Sequence, residues 1–539
     1  MLNAVIMYYS RLKVHLVSRS GIQDHRVDEI DHSRTHIELL HTTGPRFTGS
    51  DAHGNYVAWL QTQLEDTPNL EVFSQDVEIL GWQPQGSLEE SATLTILKDD
   101  GLGQRARIAV AGAVPYTLPS TGRQGGLIYV PRHQKISGHE LNGKMILRDF
   151  PVHRLPYAVG MIPAYYMTSD MKDDLLDVYD RPGFADQVIH QDLLDAGNAQ
   201  VAGVLFMFDV PRDQVASYFE PHKGTHHQIP AAYVGVEESI VLKNTAMDLS
   251  TKASATLSVK AKITKTTARA LKAVLPGQIE ERVIYVTHTD GNTCVQENGP
   301  VALLALARYF ATRSNSPGRR TIEFAFNVRH LHISREGSLA QAKDLDASFD
   351  HSSGMTTLVI PIEHLGTREI EAVHEQGEPG RRLCYTGRGK PMFWCVGPNP
   401  PVVQAVIAAV SRRRLDRVIV TRGVSTPRFN KTPVFTSFGG IGTYYHNLLL
   451  PTTSLISGPW SLWAPSFGPD AVDVCRLRQQ TLALGDVYDS LETVSRQEIV
   501  QGYIDYRKER SMRGKSWTFS EPPKKAEAIE TLESGAIQY

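Results

Sequence analysis

Residues 287–299 read "THTDGNTCVQENG" and hold three groups that do metal chemistry. His288 and Asp290 stand two apart at the end of the apolar run "RVIYVTHT", and Glu297 follows on a short loop before a helix opening near Pro300. Alternate strand residues share a face. His288 can therefore bind a metal while Asp290 orients it, as supporting carboxylates do. The arrangement recurs: "NVRHLHI" carries His330 and His332 two apart, and "IEHLG" carries Glu363 and His364 where an apolar run meets Gly366. Imidazole and carboxylate ligands suit a divalent transition metal such as zinc. Taken singly, each group has a plainer explanation: a strand-end histidine is a satisfied structural residue, and a glutamate before a helix is a cap. The argument for a metal is the recurrence on three successive runs.

These residues need a scaffold that brings three run ends together. "RVIYVTHT", "RTIEFAFNVRHL" and "TTLVIPIEHLG" read as buried strands, and "GPVALLALARYFATRS" and "NPPVVQAVIAAVSRRR" as amphipathic helices between strands. Continuous apolar strands alternating with helices predict an α/β fold with a mostly parallel, mixed sheet covered on both faces. Chemistry in such sheets sits at the strands' C-terminal ends, where His288, His330 and Glu363 fall. Upstream, residues 25–65 read as two helices flanking a Gly-rich turn, the second capped by Ser50 or Asp51. Residues 70–115 alternate as strands do. Residues 116–252 form a distinct smaller α/β block, with "GGLIYV", "GKMILRDF" and "AGVLFMFDV" as strands. The division expected is therefore 1–115 as helices and strands joining the main domain, 116–252 as an insert, 253–504 as the main α/β domain and 505–539 as a polar tail. His222, His226 and His227 in "PHKGTHHQIP" are expected on a surface loop of the insert, with a second ligand set as the alternative.

Composition narrows the function classes. A formal net charge of −2 offers no basic stripe for nucleic acid and no acidic tail. Four cysteines without a CxxC pair argue against a cysteine-rich zinc site and fit a reducing compartment. No run reaches the ~20 apolar residues that span a bilayer, and the N-terminus is a poor signal peptide. The expectation is a cytoplasmic protein, or a secreted one if the start codon is mis-assigned, compatible with a homodimer.

In their order these segments resemble the zinc aminopeptidase family that also contains glutamate carboxypeptidases, glutaminyl cyclases and the transferrin receptor. "HTTGPRFTGSDAHGNYVAWLQTQL" is similar to its N-terminal "R-x-x-GS" segment, and 116–252 to the protease-associated domain often inserted there. "VIYVTHTDG…NGPVALLALARYF", "RTIEFAFNVRHLH…GS", "LVIPIEHLG" and "LLPTTSLISGPW" resemble its metal-bearing segments. The resemblance covers most of residues 35–495 and implies a zinc-exopeptidase-like fold. It also implies two metals about 3.5–4 Å apart, with a glutamate as general base.

Position by position, His288 matches the first histidine ligand and Asp290 its supporting aspartate. Glu297 takes the place of the bridging aspartate on a shorter loop, and Glu363 that of a later aspartate ligand. Where the family has a Glu-Glu pair this chain has His330 and Leu331, and the final Tyr-His is replaced by Ser461 and Leu462. The departures imply one ion rather than two, held by His288, Glu297 and Glu363 with His332. His330 would be the base, histidine being competent near neutral pH, or a replacement ligand. Trp460, Trp463, His364 and His446 are expected to contact substrate, the tryptophans having core packing as their alternative. The function expected is a divergent metal-dependent hydrolase acting on a peptide, amide or ester. The alternative is a non-catalytic pseudo-peptidase that serves as a binding protein.

Overall fold

The computed structural model describes residues 30–99, 105–152, 154–161, 164–174, 176–179, 185–222, 225–248, 252–313, 320–328, 330–331, 337–351, 355–423 and 438–513. His332, one of the expected ligands, lies outside them. Among the described residues no helix is long and apolar enough to cross a membrane, and all four cysteines are free thiols.

The residues that carry the site lie on a mixed sheet. Its first five strands run Glu71–Pro84, Ala261–Leu275, Arg320–Asn327, Ile279–His288 and Thr356–Pro361 in spatial order. The last three are mutually parallel. Parallel bridges from Val359 to Thr452 and from Ile362 to Leu455 join this sheet to a second group. That group runs Thr453–Ile456, Met392–Val396, Val418–Thr421 and Ala164–Met167. The central strand is buried from Val283 to His288, as its unbroken apolar run requires when helices cover both faces. The helix Gly299–Ala311 is buried at all but one of its residues, the state of a helix apolar on every side. Ser50, not Asp51, caps the helix Asp51–Glu65, its hydroxyl accepting from the His53 amide.

A second sheet of eight strands runs Arg105–Ile108, Ala92–Asp99, Lys252–Val259, Ser120–Tyr129, Met145–Asp149, Gly203–Met207, Ala231–Val234 and Gly112–Ala113. Strand pairing thus crosses the expected boundary at 115. The strands Ala92–Asp99, Arg105–Ile108 and Gly112–Ala113 pair inside this sheet, whereas Ala164–Met167, from the expected insert, forms the far edge of the main sheet. The start of the expected polar tail is helical: Arg496–Arg513 forms one helix. Its Arg507 is buried and ion-paired with Asp346 and Asp350.

Candidate metal centre

The strands Ile279–His288 and Thr356–Pro361 run side by side in parallel and end on the same rim. His288 is the last residue of the first, and Glu363 lies two residues beyond the second. Glu297 arrives from the loop that enters the helix Gly299–Ala311. The chain then turns sharply at His364, whose φ is +60°. A non-glycine residue with that backbone is uncommon and marks a position fixed by its surroundings. The turn aims the His364 ring back at the other three.

One ligand-capable atom each of His288, Glu297, Glu363 and His364 lies within 4.8 Å of all the others, and all four residues are buried. His288 Nε2 is 3.2 Å from Glu297 Oε2 and 3.5 Å from Glu363 Oε1, and His364 Nε2 is 3.4 Å from Glu297 Oε2. Despite these distances none of the four atoms makes a hydrogen bond. Buried polar atoms are normally partnered, so four orphans facing one point mark a place for a shared ligand. Tetrahedral zinc with bonds of about 2.0–2.2 Å holds neighbouring ligand atoms about 3.3–3.5 Å apart. Three of the six separations match such edges, so these residues could hold a divalent ion.

The opposite end of each side chain is tied down. His288 Nδ1 lies 2.8 Å from the Asp290 carbonyl, and His364 Nδ1 faces the Ser457 carbonyl. A carbonyl only accepts, so each Nδ1 carries the proton and each Nε2 presents a lone pair. Glu297 Oε1 accepts from the Gly299 amide and, at 3.3 Å, from the His364 amide, while Glu363 Oε2 accepts from the Ile441 amide at 2.8 Å. Only glycine fits beside Glu363 on that side, since a Cβ at Gly440 would stand 2.0 Å from Glu363 Oε2. Asp290 lies on the same rim and reaches His288 at its closest through its carbonyl. Its carboxylate Oδ1 is 3.3 Å from His288 Nδ1, and Oδ2 accepts from the Thr48 hydroxyl at 2.6 Å and the Leu331 amide at 2.8 Å.

The electrostatics follow from burial and the carboxylates. Burial alone would lower the His288 pKa, but Asp290, Glu297 and Glu363 outweigh it and hold it well above its ordinary value. Without a metal the carboxylates therefore draw a proton onto His288, the position a divalent ion would take over. His330 goes the other way: burial, then the neighbouring His288 and His222, push its pKa well down. Burial also lowers the pKa of His364, with Glu297 and Glu363 opposing it.

The remaining expected site residues are distributed differently. His330 is not one of the four converging ligands; its ring lies on that of His288, with centroids 4.0 Å apart. His364, expected to touch substrate, offers one of the four converging ligand-capable atoms. His446 is buried away from the set, with its ring stacked on Phe438 and Nδ1 3.0 Å from the Tyr503 hydroxyl. Trp460 and Trp463 are both buried. Trp463 stacks at 6.3 Å on Phe219 and at 4.7 Å on His222. His222 in turn lies 5.1 Å from His330, so a column of rings leads from Trp463 down to His288. The histidines of "PHKGTHHQIP" do not lie on a surface loop. His226 and His227 are buried, and His222 is packed into this column.

The place of His364 beside Glu363 in "IEHLG" is the signal in the sequence for its position among the converging atoms. Arg46, in "RFTGS", is a buried residue that motif spacing does not single out.

No protein-family model matches this sequence, and no curated protein matches it. Solved structures do. The zinc aminopeptidase BSAP of Bacillus subtilis aligns over 88% of this chain and 98% of its own at 15% identity, with a TM-score of 0.55. The aminopeptidase of Aneurinibacillus sp. strain AM-1 aligns over 86% and 95% at 16% identity, with a TM-score of 0.53. A peptidase M28 precursor of Shewanella amazonensis SB2B aligns over 86% and 93% at 14% identity, with a TM-score of 0.58. At these identities the likeness is one of fold, and the chain has the fold of the M28 zinc aminopeptidases.

Proposed function

We propose that the protein is a metal-dependent hydrolase of peptide or amide bonds that works with one divalent ion, zinc by its ligand chemistry. The observation that carries this reading is the convergence of four buried, unbonded ligand atoms from His288, Glu297, Glu363 and His364. The fold supports it, since the Bacillus subtilis structure of that fold is a zinc aminopeptidase. When bound, the ion would supply Lewis-acid polarisation of the scissile carbonyl. The chain's own residues do the rest. The carbonyls of Asp290 and Ser457 fix the tautomers of His288 and His364, and backbone amides fix the two carboxylates. His330 is the proton acceptor. Its Nδ1 has no hydrogen-bond partner, so that nitrogen is free to take the proton of an attacking water and return it to the leaving amine. Substrate class, a peptide or small amide, follows from this chemistry.

One observation favours a second reading. Four protein ligands complete a tetrahedral shell, and closed shells mark structural rather than catalytic zinc. On that reading the ion stabilises a pseudo-peptidase that binds a partner. One experiment separates the two. The purified protein is assayed for zinc by mass spectrometry, then for hydrolysis of a panel of aminoacyl-arylamides and short peptides. Stoichiometric zinc with zinc-dependent turnover supports the enzyme. Stoichiometric zinc without turnover of any substrate supports the second reading, and absence of zinc after reconstitution sinks both.

A further inference from the structure

We infer that Arg46 is the charge-balancing cation of the metal centre and the clamp that shapes the loop carrying Glu297. The inference rests on the metal reading above and adds a positioning residue to it.

Arg46 is fully buried. Its guanidinium donates only to carbonyls. Nη1 reaches Leu40 and Gly44, both at 3.2 Å; Nη2 reaches Thr293 and Gln296, both at 3.1 Å; and Nε reaches Thr289 at 3.4 Å. The backbone joins in, with the Arg46 amide donating to the Gly291 carbonyl at 2.7 Å and the Gly291 amide donating back at 3.2 Å. The carbonyls of Thr289, Thr293 and Gln296 bracket the stretch from Asp290 to Glu297. One side chain therefore fixes both ends of the short loop, and the Gln296 carbonyl it holds belongs to the peptide that leads into Glu297.

Hydrogen bonds to carbonyls do not explain why a full charge is buried here. A guanidinium stays ionised in proteins, and a buried ion needs a compensating charge. Among the described residues no carboxylate lies within ion-pair distance of Arg46. The metal centre has the opposite imbalance. Asp290, Glu297 and Glu363 are all buried, and a histidine that holds a metal does so as the neutral ring. A divalent ion cancels two of the three carboxylate charges, and Arg46 cancels the third. The Gln296 carbonyl that Arg46 holds is one residue from Glu297, and the Thr289 carbonyl is one residue from Asp290. With both cations the buried group is neutral; without Arg46 it retains a negative charge in low dielectric.

The test uses the full chain with zinc as the probe. Zinc affinity is measured by competition with a chelating dye, and ligand geometry by the visible spectrum of the cobalt-substituted protein, for wild type, Arg46→Met and Arg46→Lys. Arg46→Met is expected to weaken zinc about 10- to 100-fold, the usual effect of removing a residue that supports metal ligands, and to alter the cobalt spectrum. Arg46→Lys keeps the charge and loses most of the fork, so its affinity is expected to stay within about tenfold of wild type. A purely structural role would lower the melting temperature and leave the affinity of the folded protein unchanged. Wild-type zinc affinity and cobalt spectrum in Arg46→Met would overturn the inference. If Arg46→Met does not fold, Arg46→Lys decides: zinc binding as weak as that of Glu363→Gln overturns the charge role. A wild-type protein that binds no zinc is a separate outcome, since it removes the metal reading before any variant is compared.

Discussion

The imidazole of His330 lies on that of His288, with ring centroids 4.0 Å apart and planes inclined by 22°. Two histidines stacked this closely do not both carry a proton, and their pKa values are driven apart, His288 up and His330 down. Groups whose environments separate their titrations in this way take different roles. On the proposed function one is a ligand and the other a base.

The first prediction separates those roles. His330→Gln should keep stoichiometric zinc and lose turnover by about 10²- to 10⁴-fold, the usual range for a general base. Zinc content and kcat on the best arylamide, measured on the same preparation, check it. Unchanged turnover would remove His330 from the chemistry.

His288→Ala, Glu297→Gln, Glu363→Gln and His364→Ala should each abolish tight zinc binding. In the wild type, free zinc at 100 times Kd should stabilise the fold by about 2.7 kcal/mol. Thermal shift with added zinc reads both, and the four variants should show little of it. A His364→Ala protein with the full shift would return His364 to the substrate-contacting role expected from sequence.

Gly440 tests the packing behind Glu363. Its φ is +44°, and a Cβ would stand 2.0 Å from Glu363 Oε2. Gly440→Ala should displace that carboxylate and weaken zinc at least tenfold by the scale of lost ligand support. Gly44→Ala is the control: φ is +73° there, but a Cβ meets nothing within 4 Å. It should cost about 1–2 kcal/mol of backbone strain and leave zinc affinity alone. Chemical denaturation and zinc titration distinguish the two.

Acid should destabilise the metal-free protein. Burial depresses His36 to about 3 and His53 and His226 to about 4, and it lowers His227, His330 and His364 as well. A histidine depressed in the fold takes up its proton more readily when unfolded. Its contribution is therefore intact above pH ~6.5 and is lost as pH falls toward the folded value. For His53 and His226 the shift is worth about 3 kcal/mol each at most. His288 has the opposite sign: its raised pKa adds stability at low pH that disappears as pH rises through the folded value. Six depressed histidines against one raised histidine predict a net fall in urea stability from pH 7 to pH 4.5. A flat profile would show that these rings are not held neutral.

The sequence by itself determined what was local. The apolar runs "RVIYVTHT" and "TTLVIPIEHLG" have to be buried strands, so His288 and Glu363 had to stand at strand ends, and Glu297 had to enter the rim before Pro300. The order of these segments was enough to give the fold. Only the tertiary structure decided the rest, because it depends on directions and on distant partners. His364 joins the ligands because its backbone turns through a positive φ after Glu363, which residue type does not announce. His446 is drawn aside by Tyr503, 57 positions away, and Arg46 reaches the Glu297 loop across 250. The strands Ala92–Asp99, Arg105–Ile108, Gly112–Ala113 and Ala164–Met167 exchange sheets relative to the expected boundary because strand pairing is set by the neighbouring edge and not by position in the chain. Side-chain chemistry and periodicity are written along the chain; the convergence of four ligand atoms on one point is written only in its packing.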